Sequence, residues 1–115
     1  MLHSVEEVLQ LNSETIYEQI GELAIQHQGL RGIEMPEEKR EVGKSLFDAY
    51  QSQLRSKICN NKKLIKVMQS EELNTSVNIA SLIVSIINPI VIPGSAVLIS
   101  VLLVKYGILK YCEVI

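Results

Sequence analysis

From Leu73 to Val104 the chain runs 32 residues without a charge. A helix that is apolar almost all round must lie deep in a protein core or in a membrane. One straight helix over this run would be about 48 Å long at 1.5 Å per residue, well beyond a hydrocarbon core of about 30 Å. The run is also interrupted. Pro89 disfavours helical geometry at Asn88, and Pro93-Gly94 is a second breaker four residues on. The spacing therefore predicts a helical hairpin with its turn at 88–94, built on Pro89, Pro93 and Gly94. The first arm is expected from Ser70, capped by its hydroxyl with Glu71 and Glu72 behind it, to Asn88. The second is expected from Ser95 to Tyr111, giving arms of about 25–27 Å.

Within the first arm, Asn74, Asn78, Ser81, Ser85 and Asn88 recur at helical spacing and place small polar residues on one stripe. Ala96, Ser100 and Gly107 do the same on the second arm. Small and hydroxyl residues in such rows let helices approach and hydrogen-bond in lipid, so the rows are candidate inter-helix faces for an oligomer. The alternative is packing within one molecule, each serine bonding a carbonyl of its own helix. Lysines flank both open ends, whereas the connecting "NPIVIPGS" has none. This places both termini on the cytoplasmic side, with Tyr106 and Tyr111 at the interface.

Residues 1–69 read as an acidic head of about three helices. Ser4-Val5-Glu6-Glu7 and Thr15-Ile16-Tyr17-Glu18 are capping boxes. After the second box, Ile16, Ile20, Leu23, Ala24 and His27 share a stripe. Gly29 and Gly32 mark a loop, and Pro36 with Glu37 and Glu38 opens a third helix whose buried stripe is Val42, Leu46, Ala49, Tyr50 and Leu54. Asn60-Asn61 ends or breaks that helix, and "KKLIKVMQS" follows as an amphipathic connector. No alternating strand pattern occurs, so the fold class is all-α: a small helical head, then an apolar hairpin over 70–115.

Charge is unevenly laid out. Residues 1–54 hold four Lys/Arg against ten Asp/Glu, and then Arg55, Lys57, Lys62, Lys63 and Lys66 form a basic collar with no acid among them. With Lys105 and Lys110, this collar fits contact with anionic lipid head groups, or a merely solvated helix face. Nucleic acid is disfavoured, because the collar lacks interleaved aromatics and the chain is net acidic.

Candidate chemistry is thin. His3 and His27 have no carboxylate or cysteine at ligand spacing, and no nucleophile elbow, phosphate loop or paired carboxylate is present. No metal, cofactor or enzymatic activity is expected. Cys59 and Cys112 lie far apart without metal or redox spacing, which argues against a disulfide scaffold and for a reducing compartment. The first 15 residues lack the apolar core of a secretory leader.

These features point to a membrane-associated, self-assembling interaction protein. Its hairpin would insert while its head meets a cytosolic partner, anchoring a complex or perturbing the bilayer as a holin or bacterial defence effector does. The alternative is a soluble all-α adaptor or subunit, cytoplasmic and held in a complex, whose apolar hairpin packs against protein.

Overall fold

The second half of the uncharged run forms the centre of the molecule. In the computed structural model, which describes residues 4–29 and 32–113, the helix Ala96–Tyr106 buries Leu98, Ile99, Ser100, Val101, Leu102 and Leu103 in succession. Six consecutive buried residues leave no solvent face over almost two turns, so other helices must enclose this one. Among the described residues there are eight α-helices and no strand: α1 (Val5–Leu9), α2 (Ser13–Gln28), α3 (Pro36–Ala49), α4 (Gln51–Ile58), α5 (Lys62–Gln69), α6 (Ser76–Ile87), α7 (Ala96–Tyr106) and α8 (Ile108–Glu113). Helices α1, α2, α6 and α8 pack on α7, and α4 and α5 pack on α6. Val8, Ile16, Ile20, Leu54, Ile58, Leu64, Ile83 and Ile87 close the core around it. That core draws on both halves of the chain.

The all-α expectation holds, and the membrane expectation does not. No helix among the described residues is long and apolar enough to cross a membrane. At 12 and 11 residues, α6 and α7 are each roughly 16–18 Å long, against a hydrocarbon core of about 30 Å. Both expected arms shorten for local reasons. The Ser70 hydroxyl does accept from the Leu73 amide, at 3.2 Å, but it closes only a turn. Thr75, in extended backbone, is the true cap of α6 and accepts from the Asn78 amide. At the other end Gly107 has φ +102, a conformation that a glycine adopts readily and that ends α7 before α8. A membrane location for the hairpin is therefore corrected. The lack of charge from 73 to 104 reflects burial of α7 and of the inner face of α6 in protein.

Other local expectations divide. Ser4 caps α1: its hydroxyl accepts from the Glu7 amide and donates to the Glu7 carboxylate. The second box is misplaced, because Asn12 caps α2 by accepting from the Thr15 amide at 2.8 Å. Asn12 takes this role because its short amide side chain reaches the first-turn donors one turn earlier. Pro36 opens α3, and Asn61 caps α5. The long third helix is divided at Tyr50, and Ala49 is exposed, whereas Leu54 is fully buried. On α2, Ile16, Ile20 and Ala24 are buried and His27 is exposed. His3 and residues 30–31 of the expected loop lie outside the described residues.

The 88–95 turn is tied to the body by one long-range hydrogen bond. The Ile92 amide donates to the Tyr50 hydroxyl at 3.0 Å, across 42 residues of sequence. Tyr50→Phe leaves that amide without its partner. It is expected to lower stability by about 1 kcal/mol, or the melting temperature by about 4 °C. An unchanged melting curve shows that the tie contributes nothing.

Candidate functional site

The lysine-rich helix α5, Lys110 of α8 and exposed aliphatic side chains lie on and beside one groove. Helix α5 has the sequence KKLIKVMQ: Leu64 points into the core, Val67 and Met68 are half-buried, and Ile65 is 42% exposed. Helix α8 has the same split, with Ile108 buried and Leu109 73% exposed. Between α5, the start of α6 and the α7–α8 corner lies an open groove of about 600 Å³. Ile65, Met68, Ile79, Val104, Ile108 and Leu109 form most of its wall, with Asn74, Gln69, Ser76 and Lys110 at the polar positions. Leu73, next in the chain to Asn74, is 51% exposed. Around these, Lys62, Lys63, Lys66 and Lys110 are exposed. The arrangement is an apolar channel with Lys110 on its wall, further lysines on the helix that forms one side, and Glu71 and Glu72 exposed in the α5–α6 connection.

The sequence-predicted residues are distributed differently from their expected grouping. Asn74, Asn78, Ser81, Ser85 and Asn88 are all exposed, and from Ser76 on they form the outward side of α6, opposite Ile79, Ala80, Ile83 and Ile87. Their polar groups are partly satisfied locally: Ser85 Oγ donates to the Leu82 carbonyl at 2.7 Å, and Asn78 Nδ2 to the Leu73 carbonyl at 3.1 Å. Ser81, Ser85, Asn88, Pro89, Gly94 and Ala96 border a separate hollow of about 450 Å³ at the turn. Ala96 and Ser100 are buried, and Ser100 Oγ has no hydrogen-bond partner among the described residues. Gly107 sits in the α7–α8 corner and Pro93 is exposed in the turn.

The collar also separates. Lys57, Lys62, Lys63 and Lys66 are exposed, as are Lys105 and Lys110, but Arg55 is half-buried against the Tyr111 ring. Of these cations Lys110 lines the groove, and Lys62, Lys63 and Lys66 lie on α5, which forms one of its sides. The cysteines are not separate thiols. Cys59, at the end of α4, and Cys112 of α8 form a disulfide with their Cα atoms 5.5 Å apart. The inference of a reducing compartment rested on unpaired thiols and loses its basis.

Sequence reasoning passed over Ile65, Leu109 and Val104 as groove residues. One partial signal was available: in "KKLIKV" the apolar neighbours Leu64 and Ile65 point about 100° apart on a helix, so a narrow buried face takes only one of them. The facing wall had no such signal, because it is assembled from the start of α6 and from the α7–α8 corner, which lies about 40 residues beyond α5. No protein-family model matches the chain, and comparison with curated proteins and with solved structures gives no match.

Proposed function

We propose that this chain is a non-enzymatic all-α interaction subunit, which receives an acidic amphipathic helix of a partner protein in the groove between α5, α6 and the α7–α8 corner. The observation that carries this reading is the exposure of Ile65, Leu73 and Leu109 on and beside one apolar groove. Large aliphatic side chains clustered in the open mark contact surfaces more often than scattered single ones do. A groove between helices suits a helix that presents apolar residues at i, i+3, i+4 and i+7. Lys62, Lys63, Lys66 and Lys110 select the charge of the flanks, because complementary charge speeds encounter and rejects basic partners.

The test is selection from a displayed library of amphipathic helical peptides on the full chain. The selected peptides are then compared on the double variant Ile65→Glu, Leu109→Glu. Both positions are exposed, so the variant should fold, as circular dichroism would verify. Winning peptides should carry Asp or Glu beside their apolar stripe and should bind the variant at least ~10-fold more weakly. Equal binding to both proteins, or winners with no acidic bias, would overturn the reading.

A further inference from the structure

The chain has only five aromatic residues, Phe47 and four tyrosines, and four of them meet in one cleft. Tyr17 of α2 and Phe47 of α3 stand edge to face, with ring centroids 5.9 Å apart. On the opposite wall, Tyr106 of α7 and Tyr111 of α8 do the same at 6.2 Å. Arg55 of α4 lies over the Tyr111 ring, 4.9 Å from its centroid, and Lys105 lines the rim. The space enclosed is about 480 Å³, within the ~300–1,000 Å³ typical of small-molecule sites. This cleft shares no wall residue with the docking groove.

Two features separate the cleft from an ordinary surface furrow. The first is rigidity. Gln51 Nε2 donates to the Phe47 carbonyl at 3.0 Å, and Gln51 Oε1 accepts from the Tyr111 hydroxyl at 2.6 Å. The neighbouring Cys112 is bonded to Cys59, so the Tyr111 ring is held from two sides. Arg55 packs on that ring and is thereby held in place. The second is an unpaired donor. The Nε of Arg55 is buried and has no hydrogen-bond partner among the described residues. The ion pairs there are Lys39–Glu22, Arg40–Glu14 and Arg40–Glu37, none of which involves Arg55. A half-buried guanidinium without a carboxylate is costly to hold, and its fork is shaped for a carboxylate or phosphate.

Charge within the cleft is also sorted. Asp48 stands near Tyr17, where burial first and this carboxylate second push the phenol pKa upward. Burial raises the Tyr111 phenol as well, with Arg55 acting in the opposite direction. Both phenols therefore remain neutral, with Asp48 beside Tyr17 and Arg55 against Tyr111, while Lys105 is a second cation of the lining.

We infer that this cleft binds a small aromatic anion, its ring among Tyr17, Phe47, Tyr106 and Tyr111 and its acidic group on Arg55 with Lys105 beside it. The rings supply area and edge-to-face contact, and the guanidinium supplies paired, charge-assisted hydrogen bonds that neutral groups cannot match.

The probe is indole-3-carboxylate, titrated into the full disulfide-bonded chain and followed by amide and side-chain NMR shifts. Neutral indole and inorganic phosphate serve as separate arms. Saturable shifts are expected at Gln51, Arg55 and Tyr111, with indole and phosphate each at least ~10-fold weaker. Arg55→Met keeps the packing stem and should weaken the carboxylate by a similar factor, whereas the groove variant Ile65→Glu, Leu109→Glu should leave it unchanged. If Arg55→Met fails to fold, Lys105→Met at an exposed position replaces it, with a loss again expected. No saturable shift, equal binding of indole, or undiminished binding by the folded cleft variant would overturn the assignment.

Discussion

Cys112→Ser is expected to lower the stability of this chain by about 4 kcal/mol, the largest effect of any single change away from the central core. The bond joins residues 53 apart in sequence. Closing a loop of that length removes roughly 14 cal/mol/K of entropy from the unfolded chain, or about 4 kcal/mol at 25 °C in the chain-entropy account. The native state also relies on the tie. Helix α8 has only six residues, too few to persist alone, and the disulfide anchors it to the end of α4 beside the Tyr111–Gln51 hydrogen bond. Urea denaturation checks this. The variant and the wild type under reducing conditions should unfold at the same, lower midpoint. A reduced wild type with an unshifted midpoint would show that packing of Ile108 and Tyr111 holds α8 without help.

Gly43→Ala should also destabilise, although helix propensity alone predicts a gain of about 1 kcal/mol. Helices α2 and α3 cross at Gly21 and Gly43. A Cβ at Gly43 would meet the Tyr17 carbonyl oxygen at 1.9 Å, and one at Gly21 the Lys39 carbonyl oxygen at 1.8 Å. Those obstacles are backbone atoms and cannot rotate away, so the helices must separate. Overpacking of this kind costs about 1–3 kcal/mol and sometimes more, which exceeds the propensity gain. Gly43 is the only fully buried residue of α3, so the damage should be local. Amide exchange should show α3 losing protection while α7 keeps it. Ser45→Ala, on the exposed side of the same helix, is the control and should be neutral or slightly stabilising. Full protection of α3 in Gly43→Ala would refute the close-crossing account. The surface ion pairs across this crossing, Lys39–Glu22 and Arg40–Glu14 at 3.8 Å, are of the exposed kind that contribute little.

The candidate groove was half legible. The pattern "KKLIKV" announces an amphipathic helix whose neighbours Leu64 and Ile65 point about 100° apart, and Ile65 is the one left outside. Leu109 gave no comparable signal, since "GILKYC" reads equally well with either Ile108 or Leu109 buried. The aromatic cleft was not legible at all. Tyr17, Phe47, Tyr106 and Tyr111 are separated by up to 94 positions, and no periodicity links them. Of the Asn/Ser stripe, Asn78, Ser81 and Ser85 lie on the exposed side of α6, whereas Asn74 precedes the helix and Asn88 follows it. The stripe's surroundings were not legible, because small polar residues can face a neighbouring helix in lipid or face water, and spacing is the same in both cases.

What the residues determined alone is what depends on neighbours within a turn or two. Ser4 starts a helix through contacts three residues long and Pro36 through its fixed φ, Pro89 and Gly94 break one, and the alternation needed for strands is absent. Tertiary structure decided the rest: which surroundings receive the uncharged run, that Cys59 meets Cys112, and that Gly21 lies on Gly43. The physical reason is common to all three. Burial, disulfide bonding and close crossing are distances between segments far apart in the chain. An apolar helix gains similarly from a protein core or a bilayer, so only the packing of α1, α2, α6 and α8 around α7 selects the core.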